Sequence, residues 1–106
     1  MIELHVTFAD MESARALSRR AVEARLAACA NILPGVTSIY RWQGRIEEET
    51  ETLAILKTSD EQAGALARFV ADNHPYETPA IVRHENVTAN ESYLDWIAAE
   101  TGTTTR

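Results

Sequence analysis

Cysteine is nearly absent from this 106-residue chain: Cys29 stands alone, so no disulfide can form within it. A lone thiol suits a reducing compartment and leaves open a bridge between chains or a single thiolate ligand. Glycine and proline are sparse, at four and three residues, which argues against collagenous or low-complexity character. Long apolar runs are missing too. The longest uncharged stretch, from Leu26 to Tyr40, contains Asn31, Pro34 and Gly35, so no membrane-spanning helix is expected. Near the amino terminus Glu3, His5 and Asp10 interrupt any secretory pattern, and the expected compartment is the cytoplasm. Bases are outnumbered ten to sixteen by acids, for a net charge of -6. Such a chain is repelled by phosphate backbones and anionic lipid, which disfavours nucleic acid and membrane as partners.

Local signatures of catalysis are also missing. There is no Walker A loop, no G-x-G-x-x-G, no H-E-x-x-H, no C-x-x-C and no G-x-S-x-G elbow. The expectation is a protein that is not an enzyme and carries no organic cofactor.

What is present is an ordinary globular composition, 45% apolar and 25% charged, of a length that supports one core. Residues 1–106 are therefore expected to form a single domain, with polar, aperiodic 101–106 as a loose tail. Ile2, Leu4, Val6 and Phe8 alternate with Glu3, His5 and Thr7, the period of a half-buried strand. Asp10 is placed to cap a helix whose small-residue stripe is Ala14, Leu17, Ala21, Ala24 and Ala28. An apolar segment from Cys29 to Leu33 meets Pro34-Gly35, which reads as a turn, kink or bulge. Val36 to Trp42 alternates as a strand, Gln43-Gly44 is a tight turn, and Arg45 to Thr58 is the return arm. A second helix is expected from near Asp60 to before His74, then a strand over 80–87, then a short helix capped by Asn90 and anchored by Tyr93, Leu94 and Ile97.

The order β-α-β-β-α-β plus a terminal helix predicts an α+β, ferredoxin-like sandwich: two right-handed crossovers put both main helices on one face of a four-stranded antiparallel sheet. The opposite face is then left uncovered. At about 3.4 Å per residue the arm from Arg45 to Thr58 runs roughly 45 Å, too long for a compact domain of this size. Its tip must overhang. A two-stranded ribbon bearing Tyr40, Trp42 and Ile46 is marginal alone in water, so association with further copies is expected.

Candidate functional residues are scattered. Cys29 reads as a small buried hydrophobe or as a ligand. His74 reads as a helix terminator or as a site residue. His5 and His84 read first as sheet residues. Glu47, Glu48, Glu49 and Glu51 suit a solvated hairpin edge, although their charge also attracts cations. Tyr40, Trp42 and Tyr76 read as interface anchors or as a stacking surface, and Lys57 as an ion-pair partner or a contact for an anion.

Several ordered blocks carry a resemblance. They are Leu26-Ala27-Ala28-Cys29-Ala30-Asn31 leading to Pro34-Gly35-Val36, then Ser38, Tyr40, Trp42 and Gly44, then Ile55-Leu56-Lys57-Thr58. His74-Pro75-Tyr76-Glu77-Thr78-Pro79 and Tyr93-Leu94-Asp95-Trp96 complete the set. Over nearly its whole length the chain resembles the CutA divalent-cation tolerance family. The resemblance implies a homotrimer whose hairpins pair between subunits, similar in architecture to PII signalling proteins, and a role in binding or responding to divalent ions such as copper. It implies His74 and Cys29 as metal ligands, and Glu77, beside His74 in the sequence, is added as a candidate oxygen ligand. The alternative is a PII-like sensor holding a nucleotide or small metabolite in intersubunit clefts lined by Tyr40, Trp42, Lys57 and Tyr76. A hydrolase of acylphosphatase type, which shares the topology, needs a phosphate-cradling loop with arginine after the first strand. Ala9-Asp10-Met11-Glu12 supplies acids there instead.

Overall fold

The first strand is built as its alternation predicts. In the computed structural model, which describes residues 1–102, β1 (Ile2–Phe8) buries Ile2, Leu4, Val6 and Phe8 and leaves Glu3, His5 and Thr7 half-buried on the other face. Asp10 then starts α1 (Met11–Glu23), its carboxylate accepting the Ser13 amide at 2.7 Å. Ala14, Leu17 and Ala21 form the buried stripe of α1, packed against the sheet. Ala24, which the stripe included, is instead the exposed C-cap residue, because Arg25 turns left-handed at φ 61 and ends the helix.

The chain continues through β2 (Cys29–Trp42), β3 (Arg45–Thr58), α2 (Ala63–Asn73), β4 (Ile81–His84) and α3 (Glu91–Glu100). The sheet order is β2-β3-β1-β4 and every neighbouring pair is antiparallel. Ala14, Leu17 and Ala21 of α1 and Ala63, Leu66 and Val70 of α2 join Leu4, Val6, Phe8, Ala54 and Leu56 in one core cluster. Both helices therefore cover the same face of the sheet, the ferredoxin-like α+β arrangement expected from the element order.

Some boundaries differ from the sequence reading. The two segments flanking Pro34-Gly35 are one continuous strand with an irregularity between Leu33 and Val36. The second helix begins at Ala63 rather than near Asp60, after a turn closed by the Gln62 amide on the Ser59 carbonyl. The strand expected over 80–87 is shorter, and Asn86 takes φ 58 beyond its end. Asn90 starts α3 through its backbone carbonyl, which accepts from Tyr93 and Leu94, with its side chain turned to Ser92 Oγ. Residues 103–106 of the expected tail lie outside the described residues. Thr101 does not belong to a loose tail: it is buried and its hydroxyl bonds to Ser59 Oγ and the Ile97 carbonyl.

The hairpin overhangs as its length requires. β1 pairs with β3 only over Thr52–Thr58, whereas β2 pairs with β3 out to Trp42 and Arg45. From Val36 to Glu51 the hairpin is a two-stranded ribbon, and the principal extents of the molecule are 52 × 24 × 21 Å. No described helix is long and apolar enough to cross a membrane.

Candidate functional site

The turn and one bulge decide which side chains of the ribbon meet. Gln43 and Gly44 both have positive φ, 50 and 79, the left-handed pair that matches the twist of a two-residue hairpin. That turn sets Trp42 opposite Arg45, Tyr40 opposite Glu47 and Ser38 opposite Glu49. Directly opposed residues share a face, so Ser38, Tyr40 and Trp42 stand with Glu47, Glu49 and Glu51. Nearer the sheet, three steps of β2 from Leu33 to Val36 are matched by only two of β3, from Leu53 to Glu51. Gly35 adopts φ 79 within this bulge, a conformation open to a residue without Cβ. The extra residue reverses the parity of β2. It joins the register that the turn sets in the ribbon to that of the base, where Leu33 faces Leu53.

Where the ribbon leaves the sheet, this face meets the loop between α2 and β4. Between them lies a groove of about 580 Å³. Ser38, Tyr40 and Trp42 line it from β2, Glu49 and Glu51 from β3, and Tyr76, Glu77 and Thr78 from the loop, with Thr7 at the end of β1. The Tyr76 hydroxyl donates to Glu51 Oε2 at 2.6 Å, and the Tyr40 hydroxyl donates to Glu49 Oε1 at 2.6 Å. These bonds join the loop to the ribbon and the two ribbon strands to each other. The bond to Glu49, with smaller contributions from partial burial and neighbouring carboxylates, pushes the Tyr40 phenol up to about 12. Burial first, and then the bond to Glu51, hold the Tyr76 phenol well above its ordinary range. Glu51 is only 8% exposed.

His74 closes α2 and anchors this loop. Its backbone N–H caps the Val70 carbonyl, and its ring stacks on Phe8 with centroids 4.4 Å apart. Nε2 lies 2.8 Å from the Thr7 carbonyl and Nδ1 lies 3.0 Å from the Tyr76 amide. A carbonyl can only accept and an amide N–H can only donate, so the ring is the Nε2–H tautomer with both nitrogens engaged. Here the histidine positions Tyr76.

Of the residues named as metal ligands, Cys29 and His74 stand apart within one chain. Cys29 pairs with Lys57, which pairs with Glu3. His74 is tied to Thr7, four residues further along β1, or about 13 Å along the strand. The Cys29 thiol meets the Tyr93 hydroxyl at 3.3 Å, a contact that with partial burial raises the Tyr93 phenol to about 12. Glu77 lines the groove. Among the described residues no group of three or more histidines, cysteines and acids is gathered in a way that could hold a metal ion.

Of the cleft residues, Tyr40, Trp42 and Tyr76 come together in the groove. Lys57 does not: its ammonium lies over the Tyr93 ring, 5.6 Å from the centroid, at the far end of β3. The sequence reading missed Glu49 and Glu51 as groove walls by treating the acids as a solvated edge. The signal was available in the Gln43-Gly44 turn, since counting outward from it puts Glu47 and Glu49 on the face of Tyr40. The bulge's parity reversal was not. His5 and His84 lie on the sheet face opposite the helices, ring centroids 4.1 Å apart, with His5 Nε2 3.0 Å from Glu3 Oε1.

Comparison with known proteins covers the whole of this architecture. The model of the CutA1 divalent ion tolerance protein family matches residues 2–100. The divalent-cation tolerance protein CutA of Thermus thermophilus is 44% identical over 92% of this chain and 94% of its own length. Protein CutA of Mus musculus is 41% identical over 87% of this chain, which spans only 52% of that longer protein. The solved structure of the periplasmic divalent cation tolerance protein CutA from Archaeoglobus fulgidus superposes with a TM-score of 0.89 at 33% identity, covering 95% of this chain and 99% of that one. By sequence and by fold, the chain belongs to the CutA1 divalent ion tolerance family.

Proposed function

We propose that this chain serves divalent-cation tolerance as a homotrimer that acts by binding and not by catalysis, copper being the first ion to test. The observation that carries the association is the ribbon. It projects beyond the sheet with Ile39 and Ile46 exposed at 66% and 62% and Trp42 at 44%, a surface that water does not stabilise and that sister ribbons would cover. A single chain keeps Cys29 apart from His74, so a metal held by both would take its ligands from more than one copy. The compartment proposed is the cytoplasm, in keeping with the free thiol of Cys29. The test pairs sedimentation with calorimetric titration of copper into the wild type, Cys29→Ala and His74→Ala. A three-chain species that binds copper, weakened by either substitution, is the expected result. A folded solitary chain at micromolar concentration overturns the association, and unchanged copper affinity in both variants removes these two ligands.

A second reading is favoured by the groove itself. Its volume falls within the range of about 300–1,000 Å³ usual for small-molecule sites, and three aromatic residues line it. In this reading the assembly is a sensor of the PII kind, whose ligand is a nucleotide or a small metabolite. Thermal-shift measurements with metal salts and small molecules side by side separate the two readings, because only a ligand of the folded state raises the melting temperature.

A further inference from the structure

His74 is arranged like a metal ligand whose donor atom is already occupied. A ligating imidazole offers the lone pair of one nitrogen and gives the N–H of the other to a carbonyl or carboxylate, which fixes the ring. His74 has the second half of this arrangement, with Nε2–H on the Thr7 carbonyl at 2.8 Å. That side of the ring faces β1, and Phe8 stacks on the ring, so the core closes off Nε2. Nδ1 is the nitrogen left to donate, and its lone pair accepts the Tyr76 amide at 3.0 Å. One lone pair serves one partner, so an ion and the Tyr76 amide cannot hold it together.

Tyr76 also carries the bond that closes the root of the groove, its hydroxyl on Glu51 Oε2. Pro75 and Pro79 bracket the loop and fix φ at both ends. His74 has the extended ψ of 139 that a following proline favours. The segment therefore has little freedom to give up the amide while leaving the hydroxyl in place. These contacts all lie within one chain, and His74 is only 9% exposed, so they do not depend on what covers the ribbon.

We propose that His74 donates to a metal ion through Nδ1, in exchange for the Tyr76 amide, so that ion capture and the closed loop exclude each other and capture opens the root of the groove. The proposal rests on the reading of His74 as one ligand of a site shared between copies, and adds the donor atom and the movement that goes with it. Linkage makes the exclusion reciprocal: a change that loosens Tyr76 tightens the hold on the ion.

The test uses the full chain in its native assembly, with copper as the probe. Hydrogen exchange of segment 74–80 is followed by mass spectrometry with and without copper, the ion being chelated at the quench. Pro75 and Pro79 have no amide, so few other groups share the signal of Tyr76. Copper is expected to speed exchange of the Tyr76 amide at least about fivefold. Tyr76→Phe, which frees the loop from Glu51, is expected to bind copper at least about fivefold more tightly in calorimetric titration. Folded His74→Ala should bind copper more weakly and show no copper-dependent change in the loop. The exchange and Tyr76→Phe measurements decide the matter even if His74→Ala does not fold. Unchanged exchange with copper bound, or an affinity of Tyr76→Phe no tighter than that of the wild type, overturns this proposal. If His74→Ala then still weakens binding, the ligand reading stands without it. Undiminished affinity in folded His74→Ala overturns both. So does an absence of copper binding in the wild type and Tyr76→Phe alike, whereas binding by Tyr76→Phe alone supports the proposal.

Discussion

The base of the molecule and its ribbon use the same alternating strand pattern to opposite effect. In the base, β3 alternates between buried and half-buried from Thr52 to Thr58 because two helices cover one face, and Ala54 and Leu56 have no exposed surface. In the ribbon the same strand continues from Arg45 to Thr50 with every residue exposed or half-buried, and Ile46 is 62% exposed. Alternation therefore records where a strand expects a cover without saying whether its own chain provides it. In the base the chain does so. In the ribbon the Tyr76 loop covers the root, and beyond it no described residue of the chain covers the exposed face.

Substitutions on the two sides of this divide should separate cleanly, and the largest effect belongs to the base. Phe8 has no exposed surface and stacks on His74, so Phe8→Ala should cost about 3–5 kcal/mol in chemical denaturation at fixed protomer concentration. A loss below about 1 kcal/mol would mean that the base is less closed than its packing indicates. At the junction, Tyr76→Phe removes the donor to the buried Glu51 carboxylate. A cost of about 1–3 kcal/mol is expected in the same measurement, with quenching of Trp42 by iodide increasing if the loop lifts from the ribbon.

Gly35→Ala adds a methyl group that meets nothing within 4 Å but imposes a side chain at φ 79. Its cost, about 1 kcal/mol, is therefore one of backbone strain, and thermal unfolding should register it. Ile39→Ser sits on the exposed ribbon and should change the unfolding of a single chain by no more than about 0.5 kcal/mol. It should nevertheless raise the dissociation constant of the assembly in sedimentation. Equal effects on both quantities would erase the distinction between base and ribbon.

The smallest change is spectroscopic. All three tyrosines, Tyr40, Tyr76 and Tyr93, are held above the ordinary phenol value, so absorbance titration of the folded protein should show phenolate forming later than in the unfolded chain. Because the folded state holds these protons more tightly, the contribution to stability is complete below about pH 10. It declines as pH rises from 10 through about 12 for Tyr40 and Tyr93. Glu49→Gln should bring Tyr40 back toward 10.

Much of the base was legible because its signals are local. The alternation of Ile2, Leu4, Val6 and Phe8 and the helical spacing of Leu66 and Val70 each need only a few neighbouring residues to be read. So was the overhang, since strand length alone exceeds what a small domain can enclose. Within one chain Tyr40, Trp42 and Tyr76 line a single groove, and the ribbon's part of that grouping follows from the register that the turn residues fix. Lys57 lies outside the groove of its own chain, because β3 is long enough for its two ends to belong to different sites. Glu51 was misread for a related reason, since burial of a carboxylate depends on a loop 25 residues away that supplies the Tyr76 hydroxyl.

Sequence by itself determined the elements, their order, the hairpin and its turn, because these follow from periodicity, capping and backbone preference within short windows. Only the tertiary structure decided that Pro34-Gly35 is a bulge within one strand, joining the ribbon's register to that of the base, and that His74 is occupied in holding Tyr76. A bulge and a turn look alike until a partner strand reveals the count of opposing residues. The employment of a ring nitrogen is likewise set by whichever distant backbone group the fold places within reach.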